Sequence, residues 1–425
     1  MTDLSIVIPA LNEAENLALL LPQVRDRLDA LGIQYEVLVV DELANDATRQ
    51  VVAQNGARLL TPDSRGYGGA LRAGFEQAEG KYIITMDADL SHPPDILCDL
   101  WAERENAEVV IASRYVKGGQ AHMPVSRLVL SLILNLLFSR GVGLTTRDMS
   151  SGYRLYAAPV IKRCAATNRN FDVLQELLVL ILVEGHRVKE IPFQYRPRRH
   201  GSSHARVIKF GMAYLRTFGR LWRLRNSISS ADYDWRAYNS WVLPQRYWQR
   251  QRYHHIVKML AGQGRCLDVG CGSSRIVAAL PPGSVALDIL LRKLRFARRQ
   301  WQENGQAAVQ GSLLGLPLPS GTFLCVLCSQ VIEHIPRAGV LDELDRVLAP
   351  GGTLILGTPD YGKWQWLVVE WLYGILLPQA YADEHITHYT RQELLDELVG
   401  RRGYTLEAQR YILQGELILR LRKPK

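Results

Sequence analysis

Lys81-Tyr-Ile-Ile-Thr-Met86 runs straight into Asp87-Ala88-Asp89 and then Leu-Ser-His-Pro-Pro94. The apolar run reads as a buried strand. Two carboxylates flanking one small residue at its end can project toward the same divalent cation. A hard ion, Mg²⁺ or Mn²⁺, takes oxygen ligands and keeps positions for substrate phosphates. An isolated Asp-x-Asp is more often a solvated turn. Here the pair closes a strand, precedes a helix-starting Pro-Pro-Asp and follows a glycine-rich loop, a setting that fits a metal–nucleotide site. Residues 4–9, 35–41, 57–60, 81–87 and 108–112 all read as short buried strands with helical patterns between them. That is an open α/β sheet, whose ligands gather at the carboxyl ends of strands.

The neighbouring strand ends carry the same message. Ser5-Ile-Val-Ile-Pro-Ala-Leu-Asn-Glu13 closes the first strand with Pro9, which stops pairing and frees the following residues for a ligand. Val37-Leu-Val-Val-Asp41 ends the second in an acid. Arg65-Gly-Tyr-Gly-Gly-Ala70 is expected to supply flexible backbone donors that cradle phosphates. Each feature is weak alone; four at successive strand ends mark one site.

At 425 residues the chain exceeds the usual single-core limit, so two domains are expected. A hydrophobic content of 47% and a charged content of 22% describe ordinary globular protein. The net charge of +9 suits phosphorylated or anionic-surface partners without arguing for nucleic acid, and no nucleic-acid partner is expected. The N-terminus lacks a basic region followed by an apolar one, so secretion is not expected. Six scattered cysteines show no disulfide framework, which points to a reducing cytoplasm. Cys325 and Cys328 form a lone CxxC inside an apolar strand and read as core.

The alternation fades after about residue 160. The apolar helix Val173–Glu184, the basic stretch Arg196–Arg225 and a polar segment starting at Asn226 follow. Residues 226–240 are expected to link a domain at 1–225 to one at 241–425. A second strand–helix alternation begins at Cys266-Leu-Asp-Val-Gly-Cys-Gly272, a strand that turns through two glycines into a helix. The glycines would let a ligand approach closely, and the helix N-terminus favours polar groups. Asp288, twenty residues after Asp268, ends the next strand and can accept from ribose hydroxyls. A dinucleotide-binding unit competes with this reading; Ser274 in place of a third glycine counts against it.

No apolar run approaches the roughly 20 residues needed to span a bilayer. Leu128–Phe138 reads as a buried or interfacial helix. In the helical stretch His204–Arg225, the cations Arg206, Lys209, Arg216, Arg220 and Arg223 share one face. Val207, Phe210, Tyr214, Phe218 and Leu221 lie on another. Two readings stand: a peripheral helix on the inner, anionic membrane face, or a helix docked on its own domain.

On these motifs residues 1 to about 225 resemble a family 2 glycosyltransferase of GT-A fold, similar to the dolichyl-phosphate mannose synthase group of polyprenyl-phosphate enzymes. The matching text is Ser5–Glu13, Met86–Pro93, Ser113-Arg-Tyr-Val-Lys-Gly-Gly119 and Ser151-Gly-Tyr-Arg-Leu-Tyr156. The resemblance implies inverting transfer from a nucleotide sugar, with Asp87 and Asp89 holding the metal on the diphosphate. Pro9, Glu13 and Asp41 would contact the nucleoside. Arg114, Arg127 and Arg198 match basic positions near the sugar phosphates and the acceptor phosphate, a solvated surface cation being the alternative for each. The chain departs from the family at Asp41-Glu42-Leu43-Ala44, where an Asp-Asp-Gly/Asn-Ser run is usual. It departs again at Gly201-Ser-Ser-His204, where a lysine is usual. The Gln-x-x-Arg-Trp pattern of processive relatives is absent, which favours a single transfer. A phosphate monoester, with a second pKa near ~6, is already mostly dianionic at neutral pH and needs no strong base. A hydroxyl acceptor would need one, for which Asp148 or Glu176 are candidates.

The second half resembles a class I methyltransferase dependent on S-adenosyl-L-methionine, a Rossmann-like fold. The matching text is Leu267–Gly272, Ala286-Leu-Asp288, Ser329-Gln-Val-Ile-Glu-His334, Arg346–Thr353 and Thr387–Leu394. The resemblance implies Asp268, Gly270 and Gly272 at the methionine end, Asp288 on the ribose, and Gln330 to His334 bordering cofactor and acceptor. Ser312 and Phe323-Leu324 depart from the usual adenine-side residues. His334 and His385 read either as acceptor bases or as structural histidines, and the apolar stretch Trp366–Pro378 as a lid or a greasy acceptor surface. The expectation is a bifunctional enzyme. One half moves a sugar from a nucleotide sugar to a polyprenyl phosphate or similar phosphorylated lipid; the other methylates a glycan, lipid or other small-molecule acceptor. The rival is a nucleotide-binding scaffold with a degenerate transferase half, in which only the methyltransferase is active.

Overall fold

The computed structural model describes residues 2–121, 125–195, 207–301, 305–376 and 385–425. The chain divides into two compact units, Met1–Arg225 and Asn226–Lys425.

The first unit is built on β1 (Leu4–Ala10), β2 (Tyr35–Asp41), β3 (Arg58–Leu60), β4 (Tyr82–Thr85), β5 (Val109–Ser113), β7 (Arg154–Ala157) and β8 (Val188–Pro192). The short strands β6 (Gln120–Ala121) and β9 (Gln194–Tyr195) pair apart from it. The sheet order is β3-β2-β1-β4-β7-β5-β8, with β7 antiparallel to both neighbours and the remaining pairs parallel. Both faces of the sheet are covered, so its strands read as near-continuous apolar runs. The period of two still sorts them. Val7, Leu38, Val40, Ile83, Val109 and Ile111 enter one core cluster, and Ile6, Ile8, Val39, Ile84, Val110 and Ala112 the other.

The second unit orders β12 (Ala307–Gln310), β11 (Val285–Asp288), β10 (Cys266–Val269), β13 (Phe323–Ser329), β14 (Leu348–Pro359), β16 (Glu416–Arg422) and β15 (Thr405–Ile412) across one sheet. Only the pairs involving β16 are antiparallel. Cys325 and Cys328 alternate into opposite core clusters of this unit and carry no disulfide.

Residues 226–240 are not a solvated linker. They hold the helix Tyr233–Tyr238, group with the second unit, and bury Ala231 and Ala237. The polar letters misled because their partners are internal: Asp234 accepts from the backbone and hydroxyl of Ser273 and from Lys293. In the helix Val207–Asn226, Thr217, Leu221 and Arg225 are buried and Phe218 packs on Phe138, so this face docks on its own unit. Arg216, Arg220 and Arg223 lie exposed. The expectations for Arg206, Lys209, Val207, Phe210 and Tyr214 fall outside the described side chains. Among the described residues no helix is long and apolar enough to cross a membrane.

Candidate active sites

In the first unit the chain order reverses between β1 and β4, the point where open α/β sheets bind ligands. Ala10 is in register with Asp41, and the Met86 N–H reaches the Val7 carbonyl at 3.1 Å. Pro9, Asp41 and Asp87 therefore leave three adjoining strands at the same carboxyl edge. Asp41 is buried; its Oδ1 accepts from the Leu43 N–H at 2.9 Å, while Oδ2 has no hydrogen-bond partner among the described residues. Buried polar atoms are nearly always paired, so this oxygen marks a place for a ligand donor. Glu13 starts the helix Ala14–Asp29 and accepts from Asn16.

Asp87 is held from two sides. The Tyr67 hydroxyl donates to its Oδ1 at 3.3 Å, and its backbone N–H donates to His92 Nδ1 at 2.9 Å. The other ring nitrogen of His92 lies 3.7 Å from Asp87 Oδ2. Burial lowers the His92 pKa, so the ring is neutral and, with Nδ1 accepting, carries its proton on Nε2 toward the carboxylate. Asp89 is buried and turns back to accept from the Ser91 N–H. Hard oxygen donors of this kind suit Mg²⁺ or Mn²⁺.

Two expectations change. Gly66 and Gly68 of the loop Arg65–Ala70 do not present free donors to a phosphate. The Gly66 N–H goes to Glu42 Oε2 at 3.0 Å and the Gly68 N–H to the Arg169 carbonyl at 2.9 Å. A Cβ on Gly68 would lie 2.2 Å from the Asn168 carbonyl oxygen, so the residue is glycine for close packing of two loops. Glu42, which departs from the family pattern, thus anchors that loop. Arg114, expected beside the phosphates, instead forms a bidentate pair with the fully buried Asp148 at 2.8 and 2.7 Å and also reaches Ser150. Burial alone would raise the Asp148 pKa, but the Arg114 guanidinium outweighs it and holds the carboxyl below its usual range. Glu176 is equally engaged, by Thr167, Asn168 and Arg220. Neither acid is placed as a general base. The Arg127 side chain and Arg198 lie outside the described residues.

Sequence reasoning gave no role to Tyr67, His92, Gly152 or Arg154. Arg154 is fully buried and donates to the carbonyls of Met149, Ser151 and Leu174, fixing the loop that passes Asp87. A cation in the strand Arg154–Ala157 was the legible signal, since a charge within a buried strand must be satisfied there.

In the second unit the order reverses between β10 and β13. A cavity of about 90 Å³ is lined there by Asp268, Gly270, Gly272, Gln330, Asp234 and Lys293, among others. Asp288 Oδ2 accepts from the Gly272 N–H at 2.9 Å, which locks the glycine turn to the next strand end. Gln330 has φ 61°, a conformation uncommon for a side-chain-bearing residue, and its Nε2 is buried without a hydrogen-bond partner among the described residues. Burial, helped by Asp288 and Asp234, pushes the Asp268 pKa up to about 8. The glycines again serve the protein's own packing. A Cβ on Gly270 would lie 2.2 Å from Val331 Cγ2, and one on Gly272 2.4 Å from Asp234 Oδ2.

Two open α/β sheets, each with acids at its switch point, define a chain of two nucleotide-type domains. Comparison with known proteins gives each its family. The profile of glycosyl transferase family 2 matches residues 5–164, and that of a methyltransferase domain matches residues 267–356. The chain therefore carries a family 2 glycosyl transferase domain and a methyltransferase domain, both enzyme domains on open α/β sheets.

A dolichol-phosphate mannosyltransferase of Pyrococcus furiosus is 30% identical over 234 residues, 53% of this chain and 65% of the relative. An undecaprenyl-phosphate 4-deoxy-4-formamido-L-arabinose transferase of Pseudomonas fluorescens is 31% identical over 206 residues, 47% and 59% respectively. The chain thus spans less than two thirds of the length of either. Among solved structures, the glucosyl-3-phosphoglycerate synthase of Mycobacterium tuberculosis with Mn²⁺, UDP and glucosyl-3-phosphoglycerate overlaps 53% of this chain and 80% of its own. The TM-score is 0.41 at 18% identity. The YcgJ protein of Bacillus subtilis overlaps 41% of this chain and 99% of its own, with TM-score 0.35 at 13% identity.

Proposed function

We propose that the chain is a bifunctional enzyme in which residues 1–225 transfer a sugar from a nucleotide sugar to a polyprenyl phosphate and residues 226–425 perform methyl transfer from S-adenosyl-L-methionine. The observation that carries the first half is the convergence of Asp41, with its orphaned buried oxygen, and the braced Asp87-x-Asp89 pair on one switch point. Asp87 and Asp89 would hold Mg²⁺ or Mn²⁺, which supplies positive charge to the leaving diphosphate. The full engagement of Asp148 and Glu176 supports a phosphate acceptor, which needs no general base. Both curated relatives are named for prenyl-phosphate transfer.

Val129, Leu132, Ile133, Leu136 and Leu137 form an exposed apolar stripe on the helix Val125–Gly141. The stripe supports peripheral contact with a lipid surface, where a polyprenyl chain resides. In the second half the donor set fits the cofactor: Asp268 and Gln330 line the cavity, Asp288 holds its glycine turn, and the cofactor supplies a methyl group on a sulfonium. At about 90 Å³ the cavity is below the size of small-molecule sites. The helix Tyr233–Tyr238 brings Asp234 and Tyr238 to it. The exposed Trp364, Leu367, Val368 and Trp371 support a greasy methyl acceptor.

The test is incubation with Mn²⁺, radiolabelled nucleotide sugars and polyprenyl phosphate, followed by organic extraction. Label should enter the organic phase with the parent chain and not with Asp87→Asn or Asp89→Asn. Near-parental transfer by both variants overturns the assignment of the acids.

A further inference from the structure

We propose that Glu333, His334 and His385 form a divalent transition-metal site of zinc type on the acceptor side of the second unit. Candidate ligand atoms of the three side chains all lie within 4.8 Å of one another. Their convergence is built by the fold. Glu333 and His334 belong to the single 3-10 turn Ile332–His334 that follows β13. The Glu333 carbonyl accepts the N–H groups of Ile386 and Thr387 at 2.8 and 3.0 Å, which pins the later segment against this turn. The rings of His334 and His385 then stand 4.9 Å apart between centroids.

The second observation is an orphaned acceptor. Glu333 is fully buried, and its Oε2 receives a hydrogen bond from Thr358 at 3.2 Å. Among the described residues its Oε1 has no hydrogen-bond partner. A buried carboxylate oxygen left bare is costly, and a cation resolves it. A third observation concerns orientation. His385 Nδ1 lies 3.2 Å from Glu370 Oε1 and 2.7 Å from the Tyr361 hydroxyl, which itself donates to Glu370 at 2.6 Å. An imidazole that gives its Nδ1–H to a carboxylate presents Nε2 as the acceptor nitrogen, the arrangement that orients histidine ligands in metal sites. Two imidazoles with one carboxylate select a zinc-like ion over Mg²⁺ or Ca²⁺, which favour all-oxygen shells. Three protein ligands leave a fourth position for an exogenous oxygen. Gln330, which lines the cofactor cavity, lies three residues before Glu333. A role for that open position in methyl-acceptor binding rests on the function proposed above; the existence of the site does not.

The test is titration of the full-length chain with Co²⁺, a spectroscopic stand-in for Zn²⁺, read by visible absorption and by metal content after gel filtration. The background is Asp87→Asn/Asp89→Asn, which removes the acids of the first unit. The expected result is one Co²⁺ per chain, with affinity lowered by at least about tenfold in His334→Ala and in His385→Ala. Absence of Co²⁺ and Zn²⁺ binding, or binding as tight as the parent's in both histidine variants, overturns the site. If Glu333→Gln fails to fold by circular dichroism, the partly exposed His334 decides. Calorimetry with S-adenosyl-L-methionine runs in parallel. Metal binding without cofactor binding removes the methyl-transfer role and keeps the site; cofactor binding without metal binding removes the site alone.

Discussion

Gly152 sits tightly against the group that braces Asp87. A Cβ there would lie 2.4 Å from Tyr67 Oη and 3.4 Å from Asp87 Oδ1. Gly152→Ala should therefore displace the tyrosine that braces Asp87 and lower sugar transfer by about tenfold, a loss of roughly 1.4 kcal/mol in transition-state stabilisation. Adding Tyr67→Phe removes the clashing oxygen and should recover part of the rate; a double variant no better than the single one counts against this account. In the second site, Asp268 titrates near 8 against an ordinary value of 3.8. The folded unit thus keeps a proton that the unfolded chain has released, so stability falls as pH rises from about 4 through about 8. Melting midpoints should decline between about pH 5 and about pH 8, and less steeply in Asp268→Asn. A cationic sulfonium favours the ionised acid, so cofactor affinity should climb over the same interval in the parent and stay flat in that variant.

Elements carry the next two expectations. On the helix Val125–Gly141, exchanging Leu132, Ile133 and Leu136 for Gln should lower co-sedimentation with anionic vesicles while leaving the melting midpoint within a degree or so, because these side chains are exposed. Unchanged vesicle binding would leave the stripe without a lipid role. On the helix Val207–Asn226, Arg220 answers the docked reading: its Nη2 lies 2.7 Å from the buried Glu176. Arg220→Ala should cost about 1 kcal/mol of stability, discounted because the arginine is half exposed, and should show in denaturant melts without altering vesicle binding. Strand positions at β1, β2, β4, β5, β10, β11 and β13 were legible in the sequence, because buried parallel strands are short apolar runs. The strands β7 and β16 were not: Arg154 interrupts the first, and Leu-Arg alternation in the second matches no helix or fully buried strand. Residues 226–240 were misread because composition cannot show that Asp234 finds Ser273 and Lys293.

At the scale of the molecule, each unit has its own core clusters and its own switch point. Calorimetric scans should therefore show two responses: Mn²⁺ with a nucleoside diphosphate raises one melting component, S-adenosyl-L-methionine the other, each by the logarithm of ligand over its dissociation constant. A single ligand that moves both equally would contradict separate sites. The sequence by itself determined the two α/β domains, the acids at their strand ends and the two families, because periodicity and strand-end motifs are local properties of the chain. Only the tertiary structure decided what those residues touch. It turned Gly66 and Gly68 of the first loop from phosphate donors into packing contacts and closed Arg114 onto Asp148. It also set His385 beside Glu333 across a gap of 52 residues in the chain. Those outcomes depend on which distant groups share a buried volume, and hydrogen bonding there is settled by proximity after folding, not by spacing along the sequence.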